Sequence, residues 1–198
     1  NALGTCIVNR VFNWTMLRYV GGDGVAAITI IMCVLMFATS LYTGYSYGVA
    51  PVVSFYYGEQ NRAKLKRLVS SSFRLIGAMA VMMLLLSQLA TRPLVSIFAR
   101  PGNPVYDLAV TGNRICSIAL LFIGFNVFAS GMFTALSNGI VSAILAFSRS
   151  FVFMIIAMLT LPALLGVTGV WLANPIAELA AIGLATFMLV RCRKRYGY

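Results

Sequence analysis

Long apolar stretches separated by short polar or cationic breaks run the length of the chain. A helix needs about 20 mostly apolar residues to cross a bilayer. Runs that meet or approach this length lie at about 25–57, 68–91, 107–136, 140–164 and 169–190. A further one, about 1–20, carries Asn9, Arg10, Asn13 and Arg18 and reads as the end of a helix whose start is missing. The breaks have turn chemistry: Gly21-Gly22-Asp23, Arg100-Pro101-Gly102-Asn103-Pro104, Ser137-Asn138-Gly139, and the region of Pro162 and Gly166. The expected fold is all-α, a polytopic membrane bundle of six spanning helices forming one lobe over residues 1–198.

The second run is the most informative. It exceeds one bilayer crossing, so it is tilted, kinked or extended beyond the lipid. Its end, LYTGYSYGVAPVVSFYYG, holds Gly44, Gly48 and Pro51, and a cationic loop with Arg62, Lys64, Lys66 and Arg67 is expected to follow. Pro and Gly are tolerated inside bilayer helices where neighbours satisfy the freed backbone groups, and Pro51 is the expected bend. Gly44 and Gly48 form a GxxxG pair that suits close helix packing. The third run is expected to end at Thr91-Arg92-Pro93, and the last at the basic tail RCRKRYGY. Four spans separate the segment at 59–67 from that tail, so both fall on one side of the membrane. Both are basic, which places them, and the C-terminus, in the cytoplasm of a multi-pass protein of the cell (inner) membrane.

Composition agrees. The chain is 61% hydrophobic and 10% charged, with four acidic residues and a net charge of +11; mean hydropathy is +0.92. Soluble domains carry roughly 25% charged residues. The cations sit between apolar runs rather than on one polar face, so no nucleic-acid partner is expected. Histidine is absent, which removes the commonest general base and metal ligand. Cys6, Cys33, Cys116 and Cys192 form no CxxC pair. Three lie in apolar runs, where a thiol behaves as a small hydrophobe. No phosphate loop, triad or ligand cluster is present, so no enzyme and no resident metal is expected.

Several polar residues lie inside the spans. Asn126, in LLFIGFNVFASG, is either a cation or substrate contact or an amide joining two helices. Arg149 lies about ten residues into its helix, roughly 15 Å from the cytoplasmic end. That is deep for snorkelling, so it faces a wet cavity or a buried partner. Arg114 can reach the outer surface. Glu178 follows the Asn174-Pro175 break by three residues. It is a candidate for handling a proton or cation, or a structural partner for an arginine or for the backbone gap at Pro175. Asp23 and Asp107 sit at helix starts, where capping suffices. Tyr42, Tyr45, Tyr47, Phe55, Tyr56 and Tyr57 make an aromatic-rich helix. Aromatic faces attract flat organic cations, while Tyr56 and Tyr57 also suit an interfacial belt.

The strings YVGGDGVAAITI at 19–30 and YTGYSYGVAPVVSFYYGEQNRAKLKR at 42–67 resemble the seventh and eighth helices of the multidrug and toxin extrusion (MATE) transporters. LPALLGVTGVWLANPIAE at 161–178 is similar to their eleventh-to-twelfth helix junction. The resemblance implies the second six-helix lobe of a twelve-helix protein whose lobes rock around a central cavity. It implies efflux of small organic cations or drugs by antiport with Na⁺ or H⁺, with no cofactor beyond that coupling ion. The lipid bilayer and a missing N-terminal lobe are the implied partners. Tyr42, Tyr45, Asn13 and Asn126 are the expected cavity wall, and Glu178, Arg149 and Pro51 the coupling or gating candidates. Some members place acids in the seventh and tenth helices; here Asn9, Asn13 and Asn126 fall in those regions. An amide offers oxygen to Na⁺ but cannot cycle a proton. Alternatives are a lipid-linked oligosaccharide flippase of the same superfamily, which would favour an arginine-rich cavity, and a non-transporting membrane subunit or fragment.

Overall fold

In the computed structural model the described residues, 2–196 and 198, form helices joined by tight turns. The side chains of residues 2–6, 194 and 195 lie outside the description, so the readings made for Cys6 and for the end of the basic tail are not taken further. The helices are α1 (Ala2–Tyr19), α2 (Gly22–Gly58), α3 (Arg62–Phe98), α4 (Pro104–Cys116), α5 (Leu120–Ala135), α6 (Gly139–Phe147), α7 (Phe153–Leu165) and α8 (Val167–Tyr196). A 3₁₀ turn, Ser117–Ala119, joins α4 to α5, and a π-helical turn, Ser148–Val152, joins α6 to α7. Each of these pairs makes one continuous rod. Five rods are long and apolar enough to cross a membrane: 22–58, 62–98, 104–135, 139–165 and 167–193. With α1 they build the all-α bundle.

Local chemistry sets most of the boundaries. Asn61, Asn103 and Asn138 each cap the helix that follows. Their side-chain oxygens accept from the backbone N–H of Lys64 (3.2 Å), Val105 (3.0 Å) and Val141 (3.3 Å). Pro104 follows its cap at the first helical position, where its missing N–H costs nothing. Gly166, at φ 59°, turns the chain between α7 and α8.

Helix α3 departs from the sequence expectation at both ends. Arg62, Lys64, Lys66 and Arg67, expected in a loop, form its first turns, and it runs through Pro93 to Phe98. Cations at a helix N-terminus oppose the dipole. The Asn61 cap and the good helix propensity of Lys and Arg offset this. Thirty-seven residues span about 55 Å, so α3 projects beyond the hydrocarbon layer, and its cationic turns need no loop to reach water.

Helix α5 is central, packed on α2, α3, α6 and α8. Close approach is made by glycines of α4 and α5. A Cβ on Gly124 would meet the Tyr42 ring at 2.7 Å, one on Gly112 would meet Ile31 and Trp171, and one on Gly131 would strike Ser46. Gly44 and Gly48 have nothing within 4 Å of where a Cβ would sit, so among the described residues the GxxxG pair packs no helix. The turn at 59–61, the turn at 137–138 and the chain's end lie together. Asn138 donates to the Tyr196 hydroxyl at 2.9 Å, and the Tyr57 and Tyr196 rings are 5.6 Å apart.

Candidate functional site

Three polar residues from separate rods meet in the bundle. Asn126 comes from the middle of α5, Arg149 from the π turn, and Glu178 from α8, one turn past Pro175. Arg149 Nη1 donates to Glu178 Oε1 at 2.9 Å. Asn126 Nδ2 donates to Glu178 Oε2 at 2.7 Å and to the Glu178 carbonyl at 3.0 Å. Both carboxylate oxygens are therefore engaged, one by a cation and one by an amide. This is the ion pair found among the described residues. Asn126 Oδ1 is buried with no protein partner.

The local backbone accounts for the placement. A π turn adds a residue to the helical repeat and is often a functional feature. Here it carries Arg149 at a half-buried position facing α8. Pro175 lacks an N–H, which frees the carbonyl four residues earlier. That carbonyl, Trp171 O, accepts from the Cys116 thiol at 3.2 Å. The gap at Pro175 is thus filled by cysteine, and Glu178 is left to the arginine.

The pair sits between two open cavities. One, of about 610 Å³, is lined by Asn9 of α1, Thr39, Thr43 and Tyr47 of α2, and Asn174 and Glu178 of α8. The other, of about 590 Å³, is lined by Thr43, Tyr47, Ser130, Thr134, Ser142 and Arg149. Thr43 and Tyr47 belong to both, so the two make a single cleft along α2 with the acid on one side and the base on the other. Ser130, Thr134 and Ser142 share a hydroxyl cluster (2.7–3.1 Å) in the second cavity.

The sequence candidates divide clearly. Asn126, Arg149 and Glu178 converge. Tyr42 is 1% exposed and donates to the Leu120 carbonyl at 3.1 Å inside the lobe. Tyr45 faces α3, where its hydroxyl meets Ser72 Oγ at 3.0 Å. Neither lines the cleft in this structure. Asn13 is exposed on α1, one turn beyond the cleft-lining Asn9. Pro51 is exposed within the unbroken α2, and Arg114 is exposed on α4. Thr39 and Thr43 were not singled out, and Tyr47 was named only as one of the aromatic residues of its helix. The four-residue spacing of these three on an otherwise apolar helix marks one face, and that periodicity was the available signal.

A family model for MatE matches residues 3–160. The chain belongs to the MatE family. Among solved structures, the MatE lobe is similar to an outward-facing multidrug resistance MATE family transporter of the MOP superfamily. The TM-score is 0.86 at 20% identity, over 97% of this chain and 44% of that one. It is similar to an inward-facing one to the same degree, with a TM-score of 0.86 at 21% identity over 98% and 44%. A MOP superfamily transporter from Pyrococcus furiosus, described as having a binding pocket of reversed polarity, matches with a TM-score of 0.87 at 20% identity over 97% and 44%. No curated protein sequence matches. The chain spans less than half the length of these solved relatives, and as a multi-pass membrane protein it carries the fold of one part of a MATE transporter.

Proposed function

We propose that the chain is the C-terminal lobe of an antiporter that expels small organic cations in exchange for Na⁺ or H⁺. The observation that carries this reading is a buried carboxylate, Glu178, held by Arg149 and Asn126 beneath an open cleft. A cation entering the cleft competes with Arg149 for that carboxylate. Release of the arginine toward the second cavity, which it already lines, separates the pair without stranding either charge away from polar surroundings. The free Oδ1 of Asn126 is an oxygen that Na⁺ can use. Coupling then follows from exclusion: cargo and ion draw on one negative charge. The equal likeness to outward- and inward-facing relatives supports a lobe that moves as a rigid body. A missing N-terminal lobe supplies the other wall, and the bilayer surrounds both.

The basic end, with Arg62, Lys64, Lys66, Arg67, Arg191 and Arg193, is assigned to the cytoplasm on the positive-inside rule, together with the C-terminus. The test is reconstitution of the intact protein in liposomes, with ethidium efflux followed under an imposed Na⁺ or pH gradient. Gradient-dependent efflux that Glu178→Gln uncouples is expected. Efflux indifferent to every gradient would overturn the antiport reading. In the same assay Pro51→Ala should slow turnover more than it weakens binding if α2 bends there to change access.

A further inference from the structure

On the other side of α5 the lobe presents a second, differently built groove. It lies between α3 and α8, holds about 510 Å³, and has Val69, Phe73, Leu189 and Val190 as its apolar walls. Lys66, Arg74 and Arg193 line it as well. Lys66, Val69, Phe73 and Arg74 recur at helical spacing, so they form one stripe of α3. At 100° per residue, the cleft-lining Ile123, Val127, Ser130 and Thr134 of α5 fall within about 60° of arc, with Phe125 on the opposite side. Phe125 stacks on the groove residue Phe73 at 6.1 Å. The groove therefore faces away from the cleft.

Its cations lack carboxylate partners: the ion pair among the described residues is Arg149–Glu178. Arg74 makes only long contacts to its own helix, Nε to the Ser70 carbonyl (3.4 Å) and Nη2 to Ser70 Oγ (3.5 Å). Arg193 Nε donates to the Tyr198 carbonyl at 3.3 Å. Arg74 stands two turns, about 12 Å, deeper along α3 than Lys66. An arginine that deep on the outer face of a membrane helix needs an anionic partner or a local distortion of the lipid. Basic pockets between helices near a membrane surface suit acidic headgroups, and the apolar walls below suit an acyl chain.

We infer that this groove is a binding site for an anionic phospholipid, its phosphate held by Lys66, Arg74 and Arg193 and one acyl chain lying between α3 and α8. The site is independent of the transport reading, since it shares no residue with the cleft and its test reads binding rather than efflux. The intact protein, purified in detergent, is titrated with phosphatidylglycerol or phosphatidylcholine and bound lipid is counted by native mass spectrometry. Phosphatidylglycerol should be retained in preference to phosphatidylcholine. Each interfacial cation contributes roughly fivefold, so the triple variant Lys66→Gln/Arg74→Gln/Arg193→Gln should bind about a hundredfold more weakly. Val190→Trp, which fills the groove and leaves the cations in place, should also displace the lipid, and it guards against misfolding of the triple variant. Arg92→Gln/Arg100→Gln, at the other end of the bundle, should bind as the wild type does. Equal retention of both lipids, undiminished binding in both groove variants, or release of the lipid by millimolar inorganic phosphate would overturn the proposal, the last by showing a plain anion site.

Discussion

Two asparagines invite comparison. Asn113 on α4 is 1% exposed and Asn126 on α5 is 3% exposed. Each commits its amide nitrogen to two oxygens, and each has a buried carbonyl oxygen without a protein partner. Asn113 donates to Ser87 Oγ (3.3 Å) and Thr91 Oγ1 (3.0 Å), both on α3. The Thr91 hydroxyl in turn donates to the Ser87 carbonyl. Every member of that cluster is neutral, and Asn113 lines neither cleft cavity. Asn126 holds a carboxylate that also holds an arginine, and that carboxylate lines the cleft. Burial and hydrogen-bond count are thus the same for a helix-joining amide and for a member of a charged site. What separates them is charge and access. In a bilayer a neutral interhelical bond contributes about 1 kcal/mol and asks nothing of the transport cycle; a buried ion pair is costly to break on one side only.

The largest effect is expected from Glu178→Ala. It leaves Arg149 half-buried and unpaired, and should cost about 3 kcal/mol in thermal or denaturant unfolding in detergent and abolish coupled efflux. Wild-type efflux in that variant would reduce the charged cluster to the rank of the neutral one. Next is Asn126→Leu, which should cost about 1–3 kcal/mol and also lower coupled efflux per folded molecule by about tenfold, equivalent to roughly 1.4 kcal/mol of barrier. Asn113→Leu should cost a similar 1–2 kcal/mol in stability with efflux per folded molecule unchanged. If the two leucine variants transport equally, the distinction drawn between the two amides is wrong. The smallest effect belongs to Thr43→Val. Its hydroxyl donates to the Thr39 carbonyl at 2.8 Å rather than to another helix, so stability should move by less than about 0.5 kcal/mol. As a cleft residue it should shift the apparent affinity for ethidium about twofold without changing the maximal rate.

The residues of the charged cluster were visible in the sequence one at a time. Asn126, Arg149 and Glu178 each stand out because a polar group inside an apolar run needs a reason. A partnership of Glu178 with an arginine was readable as one alternative; that the arginine is Arg149 and that Asn126 joins the pair was not, since 29 and 52 positions separate the partners. The tyrosines of α2 divide for a related reason. Tyr42 and Tyr47 are both tyrosines of one helix, but five residues rotate the second about 140° away from the first. One packs on Gly124, the other lines the cleft. Gly44 and Gly48 likewise carried a packing motif with no partner among the described residues, while Gly112, Gly124 and Gly131, where other helices come close, carried no such motif.

Hydropathy and the cationic breaks by themselves determined that the chain lives in lipid as spanning helices, because each such helix satisfies its own backbone and must be apolar over its length. Asparagine caps and turn residues fixed most boundaries for an equally local reason. Which face of each helix turns inward, which carboxylate meets which arginine, and which buried amide joins them were decided only by the tertiary packing. Lipid offers little of the polar-versus-apolar contrast that orients a helix in water, so side-chain shape and a few charges set the helix faces, and those act between residues far apart in the chain.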